Sequence, residues 1–227
     1  MLLLFTWISY LDPTITNVVP VLNSYWLMIH VSVIVSSYGF LIMGGFLGLL
    51  SLILMIFKSN KNKEIINSKI SELTIINEKT LIIGLFMLTI GTFLGGVWAN
   101  ESWGRYWGWD PKETWALVSI LVYAFILHMR FVPGLQGKYT FNVASVIGVY
   151  SVLMTYFGVN YLLSGLHSYA AGDKVSIPMS VWASVFIVFL IIFLSKMQEY
   201  NNKKREEATT ILLILITLVL LFYNNSI

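Results

Sequence analysis

Three histidines, His30, His128 and His167, are the side chains in this sequence best suited to ligate a metal. The chain has no cysteine, so it cannot build a thiolate site, a structural disulfide or a thiol relay by itself. The other concentration of chemistry is ESWGRYWGWDPKETWA, residues 101–116, which gathers Trp103, Trp107, Trp109 and Trp115 with Arg105, Asp110, Lys112 and Glu113. Indoles offer flat aromatic faces, and Gly104 and Gly108, each following a tryptophan, remove bulk that would keep a planar ligand off the backbone. Trp103 and Trp107 are four apart and share a face if the stretch is helical.

Part of this string has a purely local explanation. Asp110 suits a helix N-cap, Pro111 the first helical position and Glu113 the third, where its carboxylate reaches back. Tryptophans also collect at membrane interfaces, which accounts for Trp26, Trp98 and Trp182.

The elements that must position these groups are membrane helices. Of 227 residues, 57% are hydrophobic and 11% charged, with a mean hydropathy of +0.78, which excludes an ordinary soluble domain. The expected fold is an all-α, polytopic bundle read as one domain over 1–227, with an outward tryptophan-rich loop at 100–113. About six spans are expected: Trp26–Phe57, Leu81–Ala99, Thr114–Met129, Phe141–Ser164, Pro178–Ser195 and Thr209–Tyr223. The polar stretches at 58–79 and 196–207 read as solvated connectors, the first partly helical. The opening MLLLFTWISYLDP lacks a basic start and a cleavage site, and is too short to span.

Basic residues orient the bundle. Eleven (Lys58, Lys61, Lys63, Lys69, Lys79, Arg130, Lys138, Lys196, Lys203, Lys204, Arg205) fall on one side and three (Arg105, Lys112, Lys174) on the other. The tryptophan loop thereby faces the periplasm, the extracellular side or a lumen. His30, near the start of the first span, and His167, just after the fourth, share that outer end. Two imidazoles beside an aromatic platform suit a haem, taken as haem b, with the iron held between them. Arg105, Lys112 and Lys174 either pair with propionates or are simply solvated. His128 lies about 20 Å down the third span. It either ligates a second haem with a histidine from outside this chain or rests at the inner interface beside Arg130.

The string WGRYWGWDPKETWALVSILVYAFILHMR closely resembles the tryptophan-rich WWD signature of the CcsA/ResC family of System II cytochrome c biogenesis. VLNSYWLMIHVSVIVSSYGF and SGLHSYA resemble that family's two flanking-histidine segments, in the same order. The resemblance implies a protein that binds haem and presents it at the outer face for covalent attachment to apocytochrome c, as part of a holocytochrome c synthetase. It assigns His30 and His167 to the outer iron and His128 to an in-membrane haem shared with a CcsB/ResB-type partner. It places Trp103, Arg105, Trp107, Trp109 and Asp110 around the outer site. It also implies thiol-reducing proteins as partners, no nucleic acid, and residence in a bacterial inner membrane or plastid thylakoid. Family members usually carry further N-terminal spans. The competing expectations are a transporter or channel without haem, and a structural subunit.

Overall fold

The computed structural model describes residues 24–163, 165 and 177–224, with side chains in the last helix described through 204 and at 207 and 210. In chain order the elements are α1 (Tyr25–Ile56), α2 (Lys63–Trp103), α3 (Pro111–His128), a 3-10 turn (Met129–Phe131), α4 (Lys138–Leu153), a π-turn (Met154–Gly158), α5 (Val159–Leu162) and α6 (Met179–Asn224). Among the described residues five helical stretches are long and apolar enough to cross a membrane: Tyr25–Ile56, Lys63–Trp103, Pro111–Phe131, Lys138–Leu162 and Met179–Lys204.

Two sequence expectations shift. The polar connector after α1 is mostly helix, because it contains no glycine or proline and joins α2 without a break. The fifth and sixth expected spans lie in one continuous helix, α6. The intervening KMQEYNNKKREE again lacks a helix breaker and carries helix-spaced ion pairs, Lys196–Glu199 at 3.2 Å and Lys203–Glu207 at 4.0 Å.

Helix α1 is the centre of the bundle, packed on α2 along much of its length and on α4. Small residues allow this close approach. A methyl group added at Gly48 would sit 2.8 Å from the Asn142 carbonyl oxygen of α4, and one at Gly44 would collide with Leu81 of α2. Helix α3 packs on α2 and α4, so it lies across from α1. The core holds Tyr38, Leu41, Leu81, Leu88, Tyr123, Ile126 and Val152.

A polar layer crosses the bundle at the end far from the tryptophan loop. Buried Asn142 donates to Thr74 Oγ1 at 2.9 Å and to the Lys138 carbonyl at 2.8 Å, and accepts from Asn77 at 3.3 Å. Arg130 pairs with Glu78 nearby. Helix α6 is held chiefly at this same end, where Gln198 donates to the Lys58 carbonyl and Tyr139 donates to the Ile192 carbonyl. Its Phe186, Phe189 and Phe193 are exposed, as is Trp182.

Candidate functional site: a cavity under the tryptophan loop

A cavity of about 620 Å³ opens where the N-terminal end of α1 meets the last turns of α2, the loop, the first turn of α3 and the π-turn. Its size falls within the range of small-molecule and cofactor sites, roughly 300–1,000 Å³. The lining is mostly apolar.

His30 is the histidine in that lining, and it is 6% exposed. Its Nδ1 lies 2.8 Å from the Trp26 carbonyl oxygen one turn earlier. A carbonyl can only accept, so Nδ1 carries the proton and the ring's lone pair resides on Nε2. That is how ligand histidines are usually fixed: the second nitrogen is tied to a backbone carbonyl, which sets tautomer and orientation. The imidazole stacks on Trp98, with centroids 5.2 Å apart and planes 28° from parallel. A methyl group added at Gly95 would come within 3.3 Å of His30 Cδ2, so the glycine makes room for the ring.

Trp98 is therefore not an interfacial anchor. It is 1% exposed and is the wall on which His30 leans. Trp103 meets Trp98 edge-on at 4.7 Å, and the Arg105 guanidinium lies over Trp103 at 5.8 Å. Trp103 and Arg105 thus form a buttress behind His30 and are absent from the cavity lining.

The loop is shorter than the sequence expects, because α2 continues through Trp103. Gly104 ends it in the left-handed conformation (φ 70°), the usual exit for a glycine that follows a helix. The Arg105 side chain occupies the space beside Gly108. Gly108 therefore does not leave its backbone open to a ligand, whereas the space beside Gly104 is open. The loop's Tyr106 carbonyl rests on α2 at Gly96, where an added methyl would be 3.1 Å away.

The box at the start of α3 forms as its residues dictate. Asp110 caps the helix by accepting from the Lys112 amide at 3.1 Å, and Pro111 opens it. Glu113 Oε2 accepts from the amides of Asp110 at 3.2 Å and Gly108 at 2.7 Å. One carboxylate thereby closes the loop on both sides of Trp109. Trp109 is held at φ 58°, a left-handed conformation unusual for a bulky residue, and its side chain is 70% exposed. Its ring meets Trp107 edge-on at 5.8 Å, and Trp107 with Tyr106 roofs the cavity.

The π-turn supplies the floor. Its wider turn brings Thr155 and Tyr156 into the lining, near Tyr38 of α1, whose ring meets Tyr156 edge-on at 6.1 Å. Thr155 Oγ1 lies 3.0 Å from both Ser119 Oγ and the Trp115 carbonyl, which ties the floor to α3.

The remaining sequence candidates lie elsewhere. His128 is exposed at the last residue of α3, about 25 Å along the helix from Pro111. Its Nδ1 donates to the Ala124 carbonyl at 2.7 Å, which leaves Nε2 as its basic nitrogen. His167 and Lys174 lie outside the described residues. Gly165 is described, and a methyl there would fall 2.5 Å from Asp110 Oδ1, so Gly165 itself lies against the cap of α3.

Residues 1–167 match the family described as Cytochrome C assembly protein. The chain belongs to that family. Protein NrfI of Wolinella succinogenes is 57% identical over 166 residues, covering 73% of this chain and 18% of NrfI. The cytochrome c biogenesis protein CcsA of Prochlorococcus marinus is 42% identical over 180 residues, covering 68% of this chain and 57% of that protein. CcsA of Chlamydomonas reinhardtii is 46% identical over 151 residues, covering 66% of this chain and 42% of its own length. The chain thus spans between about a fifth and somewhat over half of these relatives. In this cytochrome c assembly protein, sequence reasoning singled out His30, Trp107 and Lys112 but passed over Trp98, Gly95, Tyr38 and Tyr156. The available signal was the Gly95-Gly96 pair one turn before Trp98, a place where small residues admit something bulky.

Proposed function

We propose that this chain binds haem as its substrate in the cavity under the tryptophan loop and presents it at the outer membrane face for attachment to apocytochrome c. The observation that carries the proposal is His30: a buried imidazole whose Nδ1–H is tied to the Trp26 carbonyl and whose Nε2 bears the lone pair, in a mostly apolar cavity. An oriented imidazole with flat aromatic neighbours is the donor set an axial iron ligand requires. Cavity size and apolar lining fit a porphyrin. The role that names the CcsA relatives, cytochrome c biogenesis, agrees with this substrate.

The second axial ligand in this proposal is His167, two residues after Gly165, which lies against Asp110. Attachment adds a cysteine S–H of apocytochrome c across a vinyl C=C, forming a C–S bond and placing the hydrogen on the other vinyl carbon. This chain's contribution is positional, since holding reactants close and in line removes much of the entropic barrier. His30 orients the ring plane, and Trp107 and Tyr106 cover it. His128, exposed at the far end of α3, pairs with a histidine of a CcsB/ResB-type partner. The thiols arrive reduced by other proteins, and the loop faces the periplasm or lumen.

The test is a visible spectrum of the chain purified with its membrane partner. A Soret band that falls in H30A and falls further in the H30A/H167A double variant, down to the share of a haem held at His128, supports the outer site. An unchanged spectrum and haem yield in the double variant rejects it. No Soret band in the parent protein favours a transporter without haem.

A further inference from the structure

The cavity is chemically lopsided. Its charged lining residues are Lys112 and Glu113, both in the first turn of α3. Glu113 commits Oε2 to the amides of Gly108 and Asp110, and Asp110 caps the Lys112 amide. The Lys112 ammonium donates to the Asn160 side-chain oxygen at 3.0 Å, a neutral acceptor on α5 just after the π-turn. An ammonium has three N–H donors, and Asn160 takes one of them. A half-buried cation beside apolar surface is costly; the Asp110 carboxylate offsets part of that cost, and the ammonium's remaining N–H donors suit a further anion. Across the bundle, the α1 wall offers Leu27, Met28 and Val31, with Met28 and Val31 also exposed at the rim. Arg105, the other described cation at this end, is turned away onto Trp103 and Gly108.

We infer that Lys112 is the carboxylate-binding group of this cavity and fixes which way round an amphipathic ligand lies: acid groups against α3, apolar edge against Leu27, Met28 and Val31 of α1. The inference rests on the haem reading above. Haem carries its propionates on one edge and its vinyls on the opposite one. With the propionates at Lys112, the reacting vinyl edge points to α1, and the apocytochrome thiols enter past the exposed Met28. Lys112 is thus a specificity-determining contact, and Asn160, placed by the π-turn, positions it.

The experiment titrates the purified protein, with its partner, against haem and against haem dimethyl ester, in which both propionates are methylated, and reads the Soret band. The parent is expected to bind haem about tenfold or more tightly than the diester, the size of one charge-assisted hydrogen bond. K112M removes that preference while keeping the diester affinity, and K112R restores part of it. Equal affinity of the parent for the two porphyrins overturns the assignment and leaves the haem reading standing. So does a K112M protein that keeps the parent's preference. Failure of the parent to bind either porphyrin overturns the haem reading and this assignment with it. Should K112M not fold, the parent's own discrimination and that of K112R decide the question.

Discussion

Removing the Glu113 carboxylate should release the tryptophan loop while leaving the helices in place. Its Oε2 holds the amides of Gly108 and Asp110, at 2.7 and 3.2 Å, on either side of the strained Trp109. Hydrogen bonds to a charged group contribute about 1.5–3 kcal/mol each when desolvated. Two effects reduce the sum. Gly108 is exposed, so water replaces part of its bond, and Glu113 Oε1 is buried with no hydrogen-bond partner, a cost that truncation relieves. A net loss of about 2 kcal/mol follows, equivalent to about a thirtyfold rise in the open fraction of the loop. In E113A, amide hydrogen exchange across residues 104–110 should accelerate by about that factor, because local opening governs exchange. Exchange in the middle of α1 and α2 should stay as in the parent. E113Q keeps an acceptor oxygen without its charge and should fall between the two. Parent-like exchange at Gly108 in E113A would refute the reasoning, since it would mean that the loop is shaped by its aromatic contacts instead.

Two other outcomes follow from the same geometry. Trp109 pays a left-handed backbone for a largely exposed side chain, so W109G should be more stable than W109A by about 1 kcal/mol in thermal unfolding in detergent; equal stabilities would show that the backbone there is not held at positive φ. G48V should lower stability by about 1–3 kcal/mol, because its side chain meets the Asn142 backbone of α4 rather than a movable group. An unaffected melting temperature for G48V would contradict the close α1–α4 approach.

The sequence alone determined the class of the molecule, the helices and the start of α3. Apolar runs of spanning length leave the chain no alternative to helix in lipid, since every backbone polar group must be satisfied within the segment. The Asp-Pro-Lys-Glu box is local chemistry, readable because its partners are within a few residues of one another. The split between a fifth and a sixth span was not legible, because a largely polar stretch of twelve residues without glycine or proline propagates a helix as readily as it interrupts a hydrophobic run. His30 stood out by type, yet its role depended on tertiary contacts: Trp98 beneath it, Gly95 beside it, and Tyr38 and Tyr156 brought from α1 and the π-turn to the same cavity. The tertiary structure also sorted the aromatic string, sending Trp103 and Arg105 behind the site, Trp107 over it and Trp109 outward. Periodicity gives each helix its apolar character, but which residues from separate helices share a cavity is set by packing of side chains distant in the chain. In this bundle the decisive spacings are the gaps left by missing Cβ atoms, whose consequences appear only once a neighbouring helix fills them.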